Sequence, residues 1–187
     1  MNGHKIVNQN HIHFITPTIV GWLDVFSRKI YRDIIIESLS YCRKEKGLNI
    51  HAYVIMTNHL HLVVSAKEGY KLSDIIRDFK SYTAKRIIEE MLHNPKESRQ
   101  EWMLRLLKYF AKYNKRNKTY QLWQQGNYPV DLVSKTWIGR RIEYVHENPV
   151  KAGLVRRQED YVYSSASNYL DLESELEIDI LDMNLLI

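Results

Sequence analysis

His59-Leu60-His61 sits inside the apolar run Ala52-Tyr53-Val54-Ile55-Met56 and Leu62-Val63-Val64. On a strand, successive side chains alternate between faces, so this spacing sends both imidazoles to the same side. Two nitrogen donors converging on one point suit a divalent metal, and Cys42, the only cysteine, excludes a cysteine cage. His11-Ile12-His13 has the same spacing, so spacing alone does not choose between the pairs. Context favours the second, because Leu62-Val63-Val64 anchors it on a central hairpin strand, whereas the first lies near the beginning of the chain. Tyr144 and Asn148 form another constellation: four residues apart, they share a helical face if the helix persists that far. An amide oxygen ligates a hard cation, and a phenol beside it is a nucleophile where a metal polarises a phosphate. Tyrosine titrates at about pKa 10, so such a phenol needs a base or metal-bound hydroxide nearby. The plainer reading packs Tyr144 between sheet and helix and makes Asn148 an end cap before Pro149. Tyr82, among Lys80, Lys85 and Arg86, is a rival nucleophile, or else a core or DNA-stacking aromatic.

Charge points to the class of partner. The net charge is +5, but residues 171–187 hold six of the 22 acidic residues and none of the 27 Lys and Arg, so residues 1–170 carry +11. Basic residues gather at Arg77–Arg86, Lys108–Lys118, Lys135–Arg141 and Lys151–Arg157, with tyrosines among several of the clusters. That mixture suits phosphate neutralisation combined with base stacking, although any one cluster also reads as a solvated helix face. Lys80, Lys85, Arg86, Arg140, Arg141 and Lys151 are the candidate phosphate contacts. Trp123 reads as packing. No apolar signal core follows the N-terminus, and no apolar run approaches the roughly 20 residues of a membrane span, so we expect a cytoplasmic chain with no membrane partner. A single cysteine agrees with a reducing compartment.

The elements that must position these groups follow from periodicity. His11–Val20 is β-rich and forms the first strand, with Pro17 an irregularity. Ile30–Lys46 has helical spacing, and Gly47 supplies a stop. Asn49–Thr57 and His59–Ser65 read as a hairpin meeting at Thr57-Asn58. Leu72–Leu92 is a helix with Ser73 as a candidate cap, and Asn94-Pro95 breaks it. Gln100–Tyr113 is a second amphipathic segment inside a helical insertion at about 94–118. Tyr120–Val133 is a strand or hairpin region. Lys135–Glu147 is a helix that Asn148-Pro149 should end, since the residue before proline is driven out of the α region. Helices falling between antiparallel strands predict an α+β, ferredoxin-like split βαβ sandwich over residues 1–170, followed by an acidic tail at 171–187. The tail has helix-forming composition, and one reading lays it over the basic face to weaken nonspecific DNA binding.

Five stretches then occur in order: Tyr53-Val54-Ile55-Met56-Thr57-Asn58-His59-Leu60-His61, Phe79-Lys80-Ser81-Tyr82-Thr83, Leu122-Trp123-Gln124, Tyr144 through Val155, and Tyr161-Val162-Tyr163-Ser164-Ser165. The set resembles the single-tyrosine transposases of the HUH nuclease superfamily, especially the REP-associated tyrosine transposases, from about the first strand to Tyr169. The resemblance implies Tyr144 as nucleophile, and His59, His61 and Asn148 as ligands of Mg²⁺ or Mn²⁺. It further implies cleavage of single-stranded or hairpin DNA through a 5′-phosphotyrosine link that leaves a free 3′-hydroxyl, which can later rejoin strands. Such a chain would be nucleoid-associated. Two other readings use the same fold: a catalytically inactive or domesticated nucleic-acid-binding module, and a replication or conjugation initiator, which the small size and lack of a helicase region disfavour. Thr57 stands where many relatives have proline, and the insertion and tail exceed a minimal member. Assembly stays open between monomer and homodimer, and with it whether Tyr144 serves its own site or a partner's.

Overall fold

The hairpin that carries the histidines is the centre of the fold. In the computed structural model, which describes residues 5–114 and 119–181, β2 (Leu48–Ile55) and β3 (Leu60–Ala66) pair antiparallel with Val54 opposite His61 and Ile55 opposite Leu60. β1 (His13–Ile15) lies on the other side of β3, with Phe14 opposite Val63, and β4 (Val130–Asp131) completes an antiparallel sheet of order β2-β3-β1-β4. α1 (Lys29–Glu45) joins β1 to β2 and α2 (Leu72–His93) leads from β3 towards β4. This is the expected split βαβ, ferredoxin-like arrangement. Every residue of β3 and all but Asn49 of β2 are buried, so both faces of the hairpin are covered. α1 and α2 pack together over one face, and α4 (Lys135–Lys151) crosses β2 and β3 on the other. Leu60, Leu62 and Val64 fill the first layer; His61 and Val63 point to the second.

Several boundaries depart from expectation for local reasons. β1 stops at Ile15, because Pro17 has no N–H to continue a ladder and the chain then bends through a short 3-10 turn at Val20–Trp22. The Tyr120–Val133 region supplies only the two residues of β4 plus a single bridge from Trp123 to Ile19. Ser73 is not a cap: α2 begins one residue earlier, and the unpaired Ser73 N–H is taken by the Gln9 side chain at 3.0 Å. α4 does not end at Asn148-Pro149. It runs through Pro149 in its last turn and closes where Gly153 (φ 72°) adopts the left-handed conformation. Gly153 N donates to Val150 O and Leu154 N to Pro149 O, each at 2.9 Å, so the last carbonyls are satisfied by a Schellman turn. Asn148 is therefore held in regular helix, with Ser134 capping the other end.

α3 (Gln100–Lys112) is the helix of the insertion; residues 115–118 of that segment lie outside the described residues. Glu97, buried just before α3, accepts from Tyr31 Oη at 3.1 Å and pairs with Arg99 at 3.0 Å, fixing the insertion to α1. The tail is not helical where it is described, at 171–181, and its contacts are with α1 and the free edge of β2. Asp179 N donates to Ile50 O at 2.7 Å, its carboxylate accepts from Ile50 N and from Arg43, and His51 Nδ1 donates to its carbonyl. Leu176 is buried beside them. Further along the same edge, Ile55 N donates to Tyr163 O and Ser165 N to Tyr53 O. The tail thus helps close an edge strand that would otherwise expose unpaired backbone groups, a role alternative to covering the basic face. Residues 182–187 lie outside the described residues. Asp179→Ala should cost about 2 kcal/mol, since its carboxylate loses the hydrogen bonds from Ile50 N and from both Nε and Nη2 of Arg43. A fall in the urea midpoint with single-strand DNA affinity unchanged is the expected result; tighter DNA binding with an unchanged midpoint would favour the cover.

Candidate active site

His59 lies at the hairpin turn and His61 two residues later in β3, on the face crossed by α4. Their Nε2 atoms stand 3.2 Å apart, with ring centroids at 4.6 Å. The outer nitrogens are held: His59 Nδ1 donates to Asn58 Oδ1 at 2.7 Å, and Thr16 Oγ1 lies 3.1 Å from His61 Nδ1. An amide oxygen only accepts, so His59 carries its proton on Nδ1 and presents a bare Nε2; Thr16 can receive the His61 proton in the same way. Burial lowers the pKa of both imidazoles. For His61 it is the main cause of a fall to about 3, with the charges of His59 and Arg141 adding to it. Both rings are thus neutral at pH 7, the form in which an imidazole nitrogen can offer a lone pair to a cation.

That arrangement fits a cation. Nitrogen donors each about 2.1 Å from a shared ion stand about 3 Å apart when they occupy neighbouring coordination positions. Outer partners that fix the tautomer are the usual support of histidine ligands. Among the described residues no third His, Cys, Asp or Glu joins the pair, so an ion here would take its other donors from amide, phosphate or water oxygens. Imidazole pairs suit Mn²⁺ better than Mg²⁺.

α4 brings the second half of the site. Ile138, Ile142 and Val145 are buried against the sheet, and His146 Nε2 meets Ser165 Oγ at 2.8 Å with its ring against Tyr169. Burial holds His146 neutral, down to about 4, so it serves as a packed anchor. With that face inward, Tyr144 turns to the histidines: its ring lies 5.2 Å from that of His61 and 5.9 Å from Phe14, and the residue is 36 % exposed. Arg141, one turn earlier, lays its guanidinium 4.8 Å from the Phe14 centroid and 5.7 Å from that of Tyr144. Asn148, one turn later, donates from Nδ2 to the Tyr144 carbonyl at 2.6 Å. A close histidine pair, a partly exposed phenol and an arginine guanidinium thus lie together on this face, groups that could serve phosphoryl chemistry.

The remaining candidates fall elsewhere. His11 Nδ1 pairs with Asp131 at 2.9 Å and His13 Nδ1 with the His11 carbonyl, on the sheet face opposite Phe14, so the competing histidine pair does not reach α4. Tyr82 borders the groove between α1 and α2 with Tyr41 and Cys42. Lys80 is half-buried and gives its ammonium donors to Gln124 O, Gly126 O and Asn127 Oδ1 at 2.8 to 3.0 Å; burial lowers its pKa to about 8. It clasps the loop before β4. Lys85 and Arg86 are exposed beside Glu89, Lys151 pairs with Glu147, and Arg140 is exposed. Of the six basic candidates, Arg141 lies over the Tyr144 ring. Trp123 packs against Phe26 and Phe79, as expected. Sequence reasoning did not find Thr16, Phe14 or Asn58: the first two reach His61 only through the β1–β3 pairing, while Asn58 carried a signal in its adjacency to His59.

The family described as Transposase IS200 like matches residues 6–112, a span that holds both histidines and stops before α4. No curated protein matches significantly. Among solved structures, one of a REP-associated tyrosine transposase bound to a REP hairpin superposes with a TM-score of 0.62 at 16% identity, covering 97% of this chain and 94% of that one. A putative transposase from Deinococcus radiodurans R1 gives a TM-score of 0.42 at 18% identity, covering 78% of this chain and 98% of that one. The first likeness establishes the fold over nearly the whole length, and with the family match extending over more than half of the residues, this chain belongs to the IS200-like transposase family.

Proposed function

We propose that the protein is a metal-dependent single-strand DNA endonuclease and strand transferase that forms a 5′-phosphotyrosine intermediate on Tyr144 at hairpin-bearing DNA. The observation that carries this reading is the placement of the Tyr144 ring 5.2 Å from His61, whose Nε2 converges with that of His59 at 3.2 Å. The structural relative bound to a REP hairpin supports hairpin DNA as the partner class.

His59, His61 and Asn148 would hold Mg²⁺ or Mn²⁺, which supplies Lewis-acid polarisation of the scissile phosphate when bound. Asn148 must turn its amide from the Tyr144 carbonyl to present Oδ1 to that ion. Tyr144 Oη attacks phosphorus while the bond to the 3′-oxygen breaks. The phenol loses its proton and the departing oxygen gains one, leaving a 3′-hydroxyl and a phosphodiester to tyrosine. No water is consumed, so the bond energy is kept and a second 3′-hydroxyl can reverse the step. Arg141 stands beside the nucleophile as a fixed charge for the phosphate oxygens. The exposed Arg140, Lys85, Arg86 and Lys151 would neutralise DNA backbone. Lys80 serves by holding the Gln124–Asn127 loop.

Labelled single-stranded hairpins from DNA flanking the coding region, incubated with Mn²⁺, should give a denaturation-resistant adduct. Tyr144→Phe should abolish it while retaining much of the DNA binding. An adduct formed normally by that variant overturns the assignment, and failure of the wild type to cleave any such hairpin favours the binding-module reading. Thr16→Val removes the support of His61 Nδ1 without changing side-chain shape. It should raise the Mn²⁺ concentration for half-maximal cleavage about 10- to 100-fold, with the rate at saturating Mn²⁺ largely retained; an unchanged requirement would mean that Thr16 does not orient the ligand.

A further inference from the structure

Beside the histidine pair the backbone makes an unusual turn. Gly21 (φ 61°) and Trp22 (φ 55°) are consecutive left-handed residues, and for tryptophan that conformation is strained. The strain does not serve burial, since Trp22 remains 61 % exposed. Its ring stands edge-on to His59 with centroids 6.0 Å apart. Asn58 links the two: its Oδ1 accepts from His59 Nδ1 while its Nδ2 donates to the Trp22 carbonyl at 3.2 Å. One amide therefore sets the position of a metal-type ligand and of an exposed indole together.

The turn is also supported from behind. A Cβ on Gly21 would lie 2.7 Å from the Phe110 ring of α3, so the glycine lets that ring lie directly against this segment. Trp22 N bonds back to Ile19 O and Leu23 N to Val20 O, which leaves a rigid loop rather than a free one. A flat aromatic face that costs strain to display, braced by a helix and tied to the active-site imidazole, is suited to one ligand feature: the π-face of an unpaired base.

We propose that Trp22 is a stacking platform for an unpaired base next to the scissile phosphate, and that α3 serves to brace it. This rests on the nucleic-acid reading above and adds a positioning residue to it. Stacking depends on bases and charge pairing does not, so two probes of equal charge separate them: fluorescein-labelled dT12 and a 12-mer of abasic sites. The full chain should bind dT12 more tightly than the abasic strand in fluorescence anisotropy. Trp22→Ala should weaken dT12 binding about 5- to 100-fold and leave abasic binding unchanged, Trp22→Phe should restore most of the loss, and Tyr41→Ala, an exposed aromatic on α1, should change neither. Equal dT12 binding by wild type and Trp22→Ala overturns the stacking role alone. No binding of either strand by the wild type overturns the nucleic-acid reading, and this inference with it.

Discussion

β3 is paired on both sides, with β2 through Val54 opposite His61 and with β1 through Phe14 opposite Val63, and this double pairing decides what the α4 face can do. A slip of one residue would turn both histidines towards α1 and α2 and bring Leu60 and Leu62 under Tyr144. The same pairing delivers Thr16 and Phe14 from β1, so that the partner of His61 Nδ1 and the ring beneath Arg141 arrive with the register rather than by separate devices. Burial then adds the electrostatic condition: both imidazoles are kept neutral, and neutral imidazole is the form that binds a metal.

α4 is the second rigid part. Its inward residues Ile138, Ile142, Val145 and His146 leave Arg141, Tyr144 and Asn148 on adjoining turns of one face, with the Tyr144 ring beside His61. The Schellman turn at Gly153 carries helical geometry past Asn148, without which the tyrosine and the amide would not share a face. Around these two parts, the tail and the Tyr163–Ser165 segment close the edge of β2, and the insertion braces the turn at Gly21 and Trp22. Both additions lie outside the sheet, yet each touches an element next to the site.

Much of this was legible from residue patterns. His59 and His61 share their spacing with His11 and His13, and it is the central hairpin strand around them that sets them apart, while α2 and α3 emerge from apolar periodicity over long runs. Three things were hidden for physical reasons. Contacts between residues 45 apart, such as Thr16 with His61, depend on strand register, which local pattern does not encode. Pro149 looked like a terminator because proline breaks a helix interior, whereas here it lies in the last turn and the left-handed Gly153, four residues on, lets the Gly153 and Leu154 N–H groups satisfy the last carbonyls. Charge counts ranked Lys80 with the DNA contacts, since composition does not reveal that a lysine is half-buried against loop carbonyls. The fold and family follow from the matched residues and the superposition, while the role of Tyr144 is argued from geometry.

The central claim is that the histidine pair and Tyr144 form one phosphoryl-transfer site. Its most direct test is mass-spectrometric mapping of the protein–DNA adduct after nuclease and trypsin digestion. The account places the nucleotide remnant on the peptide that begins at Ile142 and ends at Lys151, attached through Tyr144. A remnant on Tyr82, or on any residue outside α4, would contradict it.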